Sequence, residues 1–224
     1  MWKKIKRAFF WVIFIPAIFL VGFLGYFYYQ VSRETALVIK KGAIDRIIAS
    51  ESPVYYGDGH TPIGVFFEKT HSKYIAYQEI PKVFVKALIA SEDSNFFHHF
   101  GFDPKALLRA FIANIKSGRI VQGGSTITQQ TAKNVFMREK RSYEAKLKEL
   151  IQAFLLERKY SKEEIIEMYA NQFFVTGYGK GLRIAAQYYF DKDPRDLDLV
   201  EAAFIVGSVN GPNLHNPFLK KSQD

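Results

Sequence analysis

Cysteine is absent from the 224-residue sequence, so disulfide bonds, zinc–thiolate sites and cysteine nucleophiles are excluded. No internal repeat or low-complexity tract occurs either, which excludes repeat architectures. Hydrophobic residues make up 48% of the chain, which is enough for a core and too many for a disordered protein. A chain of this length has room for one domain and an anchor.

Negative charge is scarce, because 22 Asp and Glu residues stand against 31 Lys and Arg residues and the net charge is +9. Four of the positive charges, Lys3, Lys4, Lys6 and Arg7, precede the first apolar run. An excess of positive charge favours anionic partners such as nucleic acid, acidic lipid or pyrophosphate. The sequence has no basic-aromatic motif for nucleic-acid binding, so we expect no nucleic-acid partner.

Charged side chains are missing from Ala8 to Tyr29. As a helix, this run spans about 30 Å of hydrocarbon at ~1.5 Å per residue, and membrane helices tolerate the internal Pro16. The basic cluster before the run predicts a cytoplasmic N-terminus, with the rest of the chain outside. The alternative is a cleaved signal peptide. The run is long for such a peptide and no small-x-small cleavage site follows Gly25, which favours a retained anchor.

The segment after the anchor predicts a stalk followed by a β-hairpin. Residues 31–48 mix polar and apolar side chains in a helical pattern. Two β-rich runs, Val54–Tyr56 and Ile63–Phe67, then flank the glycine-rich residues 57–62, which indicates a hairpin. We therefore divide the chain into a tip and anchor (1–30), a stalk and hairpin (31–79) and a main domain (80–224).

Helical patterns dominate the main domain. The sequence predicts a helix over 82–90 that leads to Glu92, and one that follows the Asp103-Pro104 cap and ends near Gly118. Further helices are expected from a Ser125 or Thr126 cap to about Val135, over 142–160, from the capping box at 161–164 to 171, and over 199–208. Residues 177–181 are expected to be a loop.

Two neighbouring carboxylates open the most informative stretch. Glu92 and Asp93 are followed by Phe96, His99 and Gly101 in the pattern Glu-Asp-x-x-Phe-x-x-His-x-Gly. A carboxylate among apolar side chains has its charged form disfavoured, which makes it a proton acceptor or donor near neutral pH. An isolated Glu-Asp pair is most often a solvated surface pair. The histidines lack the spacing of metal ligands, so we expect no protein metal site.

A glycine-rich loop follows at Gly123-Gly124-Ser125-Thr126-Ile127-Thr128-Gln129-Gln130, with Lys133 one turn later. The loop runs into a predicted helix N-terminus, where backbone N–H groups and the helix dipole favour an anion. The same residues could form only a loop and a helix cap. Together, the two stretches suggest a base beside a phosphate or sugar site.

These two motifs closely resemble the first two motifs of the peptidoglycan glycosyltransferases, glycosyltransferase family 51. Domains of this family form the N-terminal half of class A penicillin-binding proteins and also occur alone. The resemblance covers about residues 80–217 and implies a mainly α, lysozyme-like domain, here with a small β-hairpin and an N-terminal transmembrane helix. The hairpin favours the class A proteins. No Ser-x-x-Lys transpeptidase region follows, so we expect a part of a longer protein.

The third motif of the family, Arg-Lys-x-x-Glu, is Ala145-Lys146-Leu147-Lys148-Glu149 in this sequence. Ala145 replaces the arginine and puts one basic contact in doubt. Arg141, one turn earlier, also matches a basic position of the family and can compensate. The helical pattern alone leaves open whether Glu149 is half-buried or is an exposed residue paired with Lys146 or Lys148.

The resemblance implies an inverting enzyme that polymerises lipid II into β-1,4-linked glycan strands and releases undecaprenyl pyrophosphate. Glu92 would be the general base, and Glu149 would lie near the departing pyrophosphate, acting directly or through a divalent ion. Asp93 would orient the loop or Lys133. The implied substrate contacts are Asp93, Phe96, His99, Ser125, Thr126, Gln129, Gln130, Lys133, Arg141 and Lys146.

Other implied properties follow from the family. A divalent cation (Mg²⁺ or Mn²⁺) is the only cofactor considered, and no organic cofactor is expected. Expected partners are lipid II, the growing glycan strand and membrane lipid, with other cell-wall synthesis proteins left open. The expected location is the bacterial cytoplasmic membrane, with a single span and the catalytic domain outside. A lytic transglycosylase or lysozyme-like hydrolase, and an inactive membrane-anchored interaction protein, remain alternatives.

Overall fold

The computed structural model describes residues 2–39, 52–55, 62–66, 72–119, 121–136, 142–175 and 179–219. The helices in these ranges are α1 Trp2–Val38, α2 Lys82–Glu92, α3 Pro104–Ser117, α4 Ile127–Val135, α5 Tyr143–Glu157, α6 Lys162–Gln172, α7 Leu182–Phe190 and α8 Leu199–Val209. The strands are β1 Ser52–Tyr55, β2 Pro62–Phe66, β3 Phe174–Val175 and β4 Gly179–Lys180. The predicted mainly α fold with a small hairpin is confirmed.

Helix α1 contains the predicted span and continues beyond it. Within the part of the chain that the structure describes, it alone is long and apolar enough to cross a membrane, over Phe10–Val38, where an 18-residue stretch has a mean hydropathy of 2.3. Its last turns pack against α5, where Val31 and Thr35 are buried and Tyr160 donates its hydroxyl to the Ile39 carbonyl at 3.0 Å. The anchor helix therefore ends on the main domain. Residues 40–48 of the predicted stalk lie outside the described residues.

The two small sheets are antiparallel pairs. Strands β1 and β2 pair with Ser52 opposite Phe66, which confirms the predicted hairpin, although its glycine-rich turn lies outside the described residues. Strands β3 and β4 pair with Phe174 opposite Lys180. The prediction of a plain loop over 177–181 is therefore wrong at its end, because Gly179 and Lys180 form a strand. Two residues are too few to give an alternating apolar pattern.

The core forms around α4. This helix packs against both α5 and α6, and α2 packs against α8. Phe84 of α2 stacks on Phe173, which follows α6, with ring centroids 6.2 Å apart. Because α4 opens with the Ser-Thr-x-x-Gln stretch, the residues of the second motif are largely core residues. Only its Gln130, Lys133 and Asn134 are not buried within the helix.

Local caps set the helix ends as the sequence predicts. The Asp103 carboxylate accepts from the backbone N–H groups of Lys105 and Ala106, and Gly118 ends α3 in the left-handed region. Of the two caps considered for α4, the structure has Thr126, which forms a capping box with Gln129. The α3 residues Leu108, Phe111 and Ile115 are exposed rather than part of the core.

Candidate active site

A groove of about 600 Å³ lies where the C-terminal ends of α2 and α8 meet the loop before α4. Its lining includes Glu92, Arg109, Ser125, Gln130, Lys133 and Asn210. Of the residues that the sequence suggests for the site, Asp93 and Thr126 also reach this lining. The two motifs therefore meet in one groove.

Glu92 is the last residue of α2 and is half-buried. Gln130 donates its side-chain amide to Oε2 of Glu92 at 2.7 Å, and Asn210 donates its side-chain amide to Oε1 at 2.8 Å. The described hydrogen-bond partners of the carboxylate are therefore two amides. Each oxygen keeps a lone pair, because a carboxylate oxygen accepts up to two hydrogen bonds.

Asp93 reaches the groove lining, but its described contacts lie within the fold. Its side chain is buried, and Oδ2 accepts from the backbone N–H of Ile127 at 3.0 Å and lies 2.8 Å from Nε2 of His99. Gly101 donates its backbone N–H to Nδ1 of His99 at 3.1 Å, so we infer that the neutral ring carries its proton on Nε2 and donates it to Asp93. Asp93 thereby ties the end of α2 to the N-terminus of α4, where the helix dipole favours a negative charge.

A charged layer lies beneath this loop. Lys162 donates to the carbonyl of His99 at 2.8 Å, pairs with Glu157 at 2.6 Å, and lies 4.5 Å from the ring centre of Phe96. Thr128 of α4 donates its hydroxyl to the same carboxylate of Glu157 at 2.6 Å. Phe96 and His99, predicted as substrate contacts, are buried here and do not line the groove. Their position lets them support the groove from below.

The backbone conformation and packing of Gly101 explain why the first motif has a glycine at this position. Its φ is +94°, and a Cβ added there would lie 2.7 Å from the backbone carbon of Ala153 in α5. Only glycine permits this close approach at positive φ. Thr126 donates its hydroxyl to the Gly101 carbonyl at 2.6 Å, so the loop is fixed between α4 and α5.

A second polar cluster lies between the α4 N-terminus and α5. The Lys146 ammonium donates to the Ser125 hydroxyl at 2.8 Å and to Oε1 of Gln129 at 3.4 Å, and it forms an ion pair with Glu149. Glu149 is 3% exposed, so the two readings of its pattern are both partly right: it is buried, and it pairs with Lys146. This cluster presents an ammonium and a hydroxyl beside a helix N-terminus, which favours an anion.

The remaining residues that the sequence suggests for the site differ in their position relative to the groove. Gln129 is fully buried and serves the capping box, whereas Gln130 reaches the groove. Lys133 is exposed on the same face of α4 as Gln130, three residues on. Ala145 is partly exposed, and its backbone N–H bonds to the Ser142 cap at 3.0 Å. Arg141 lies outside the described residues.

Sequence reasoning missed several residues of the groove lining, among them Arg109 and Asn210. Arg109 lines it from α3, where it interrupts a run of exposed apolar side chains, and that interruption was a usable signal. Asn210 caps the end of α8 and contacts Glu92, 118 positions earlier. In the sequence, Asn210 stands before Gly-Pro and predicts only a helix stop, so no local signal reveals its contact.

Apolar side chains are exposed in two stretches, one after α2 and one along α3. Phe97, Phe100 and Phe102 after α2 are exposed, as are Phe111 and Ile115 of α3. Exposed apolar patches of this kind mark interaction with membrane or protein. Within the described ranges, no group of three or more His, Asp or Glu side chains is arranged to hold a metal ion.

Comparison with known proteins identifies the family to which this fold and groove belong. The family model for the transglycosylase domain matches residues 59–224, so the chain belongs to the transglycosylase family. The resemblance seen in the motifs is confirmed.

Three similar proteins are penicillin-binding proteins. Penicillin-binding protein 1A of Aquifex aeolicus is 46% identical over 145 residues, which cover 65% of this chain and 20% of that protein. Penicillin-binding protein 1A of Pseudomonas aeruginosa is 40% identical over 76% of this chain and 20% of its own length. Penicillin-binding protein 1A of Neisseria lactamica is 35% identical over 97% of this chain and 27% of its own length. The chain thus spans about a fifth to a quarter of the relatives it matches.

Proposed function

We propose that the chain is the glycosyltransferase part of a class A penicillin-binding protein and polymerises lipid II into β-1,4-linked glycan strands. The observation that carries this proposal is the groove, which sets a half-buried, amide-held carboxylate beside a polar loop, a helix N-terminus and the cations Arg109 and Lys133. Family membership supplies the substrate class, since transglycosylases act on glycan substrates.

Glu92 is the general base of the proposed reaction. The 4-hydroxyl of the acceptor sugar gives its proton to a free lone pair of the carboxylate as the oxygen attacks the anomeric carbon of the donor. A new C–O bond forms on one face of that carbon, and the bond to the pyrophosphate breaks on the other with its electron pair leaving on the phosphate oxygen. The configuration therefore inverts from α to β.

The departing pyrophosphate needs positive charge and hydrogen-bond donors. Lys133 lines the groove, and the ammonium of Lys146 lies at Ser125, beside the N-terminus of α4. Such preorganised donors stabilise charge that develops on a leaving group. Glu149 holds the Lys146 ammonium at this place through their ion pair. Arg141, outside the described residues, is proposed to add to this charge.

A divalent cation, Mg²⁺ or Mn²⁺, could act between Glu149 and the departing pyrophosphate only as part of this proposal. The described residues do not fit a preformed site, because Glu149 is the one carboxylate of this cluster and already pairs with Lys146. Divalent cations prefer several oxygen ligands.

The anchor helix and the exposed apolar side chains support a reaction at a membrane. Helix α1 would span it, with the N-terminus inside because of the basic residues before the run. The exposed Phe97, Phe100 and Phe111 would then contact the lipid in which the substrate tail is dissolved. A reporter fused after Asp224 should be active only in the extracytoplasmic compartment, and activity confined to the cytoplasm contradicts this topology.

The purified chain in lipid vesicles, supplied with labelled lipid II, tests the function. We expect glycan strands longer than a disaccharide, resolved by gel electrophoresis and digested by a muramidase. Absence of strands from folded protein would overturn the proposal. Cleavage of finished strands instead would favour the hydrolase alternative.

A further inference from the structure

The carboxylate of Glu92 accepts a hydrogen bond at each of its two oxygens. Gln130 of α4 donates to one oxygen at 2.7 Å, and Asn210 at the end of α8 donates to the other at 2.8 Å. The three side chains belong to three helices, and all of them line the groove. One amide per oxygen is the arrangement that fixes the plane of a carboxylate.

Fixing that plane requires two donors. The last side-chain torsion of glutamate is broad and has no sharp minimum, so one hydrogen bond leaves the carboxylate free to rotate. A base must lie within about 0.5 Å of its productive position to act efficiently. Asn210 therefore adds orientation, while the remaining lone pairs stay open to a substrate proton.

The backbone around Asn210 is well held. Ser208 donates its hydroxyl to the Ile205 carbonyl at 2.7 Å, and Gly211 donates its N–H to the Ser208 carbonyl at 3.1 Å. The buried face of α8, including Ile205 and Val206, packs against α2. Because these two helices pack together, the end of α8 is fixed relative to the end of α2, where Glu92 lies.

We propose that Asn210 is a positioning residue that orients Glu92 for proton transfer and makes no contribution to binding the glycan. The proposal rests on the proposed function for its kinetic readout. It assigns Asn210 an effect on turnover rather than on substrate affinity, because its described contact is with the base. It also makes the effect depend on the carboxylate of Glu92.

Kinetics with lipid II in vesicles provide the first test. Asn210→Ala should lower kcat roughly ten- to a hundred-fold, as expected for a misplaced catalytic group, with KM changed less than about two-fold. Asn210→Asp should lower kcat further, because it sets a like charge beside Glu92. Asn213→Ala, an exposed asparagine three residues on, is the matched control and should match the unmodified chain. A rise in KM with unchanged kcat would overturn the assignment.

A double substitution separates positioning from an independent role. In a Glu92→Gln background, Asn210→Ala should cost little further activity, because the group that it orients is gone. An equal loss in both backgrounds would show that Asn210 acts on something else and would refute the proposal. Thermal melts of all variants show whether any loss reflects unfolding.

Spectroscopy tests the contact without any turnover. In protein labelled with ¹⁵N-asparagine, the side-chain amide signal that disappears in Asn210→Ala should move when Glu92 is changed to Ala, since its charged acceptor is lost. The same signal should stay in place in Asn213→Ala. If the Asn210 signal does not move when Glu92 is changed, the proposed contact between Asn210 and Glu92 is refuted. If the unmodified chain makes no strands, the proposed function fails, while this measurement still decides the contact.

Discussion

Glu92 and Asp93 are neighbours in sequence, but we expect their substitution to have different effects, one on activity and the other on stability. The carboxylate of Glu92 faces the groove, whereas that of Asp93 is buried between His99 and the N-terminus of α4. Glu92→Gln should therefore abolish most activity and leave the fold intact. Asp93→Asn should chiefly lower the free energy of unfolding.

The stability cost of Asp93→Asn follows from its two hydrogen bonds. Both go to a single oxygen, so the amide oxygen of asparagine can keep them, but without the negative charge. Hydrogen bonds to charged groups contribute about 1.5–3 kcal/mol and neutral ones about 0.5–1.5 kcal/mol, so losing the charge costs about 2 kcal/mol for the pair. In a chain of this size that lowers Tm by roughly 4–8 °C.

The cost of Glu92→Gln is kinetic. Glutamine offers one acceptor oxygen to two amide donors, so one hydrogen bond is lost at a groove that water can enter. That loss is worth about 1 kcal/mol, which corresponds to a fall in Tm of roughly 2–4 °C. Loss of a general base slows a reaction roughly 10²–10⁴-fold.

The assay measures strand formation from lipid II and thermal melting on the same preparations of both variants. The expected result is a slow, stable Glu92→Gln protein and a less stable Asp93→Asn protein that retains more activity at low temperature. A folded Glu92→Gln protein that polymerises at the unmodified rate would refute the mechanism. An Asp93→Asn protein as slow as Glu92→Gln, with an unchanged Tm, would refute the structural role of Asp93.

Three further predictions concern charges. Lys133→Ala should remove a charge-assisted contact of ~1.5–3 kcal/mol and lower turnover roughly ten- to a hundred-fold, while Lys86→Ala, an exposed cation away from the groove, leaves turnover unchanged. Lys146→Ala should destabilise the fold by about 1–3 kcal/mol in denaturant melts, because it removes an ammonium that pairs with the buried carboxylate of Glu149. This loss should exceed that of Glu149→Gln, and equal melts contradict the prediction. Hydrogen bonds from Arg195 lower the pKa of Asp193 to about 2, so its stabilisation is present above the ordinary aspartate pKa and is lost as pH falls towards about 2. The Tm difference between the unmodified chain and Asp193→Asn should shrink over that range, and a constant difference contradicts the pairing.

Local signals predicted the elements that local chemistry determines. The start of α3 follows from Asp103 and Pro104, and its end follows from Gly118, since these residues act within one turn. The hairpin follows from two β-rich runs around glycines. The exposure of the apolar side chains of α3 was not predictable in this way, because periodicity shows that a face is apolar but not what covers it.

The site was predictable as a set of residue types and not as a set of contacts. Gln129 and Gln130 are identical neighbours, yet one is buried in the capping box and the other holds Glu92. The helical phase could have separated them, because Gln130 and Lys133 share one face of α4 while the other side enters the core. Asn210 could not have been found, since its contact depends on the packing of α8 against α2.

The same packing explains why the motifs contain so many residues that never reach the groove. In the proposed mechanism, Glu92 can act only if the end of α2, the loop before α4 and the end of α8 hold their relative positions. Asp93 and His99 link the first two of these, and Gly101 lets the loop approach α5 within contact distance. The amides of Gln130 and Asn210 then connect Glu92, the proposed base, to α4 and α8. A motif residue buried below the groove thus contributes to the proposed chemistry indirectly, because it sets where the carboxylate lies.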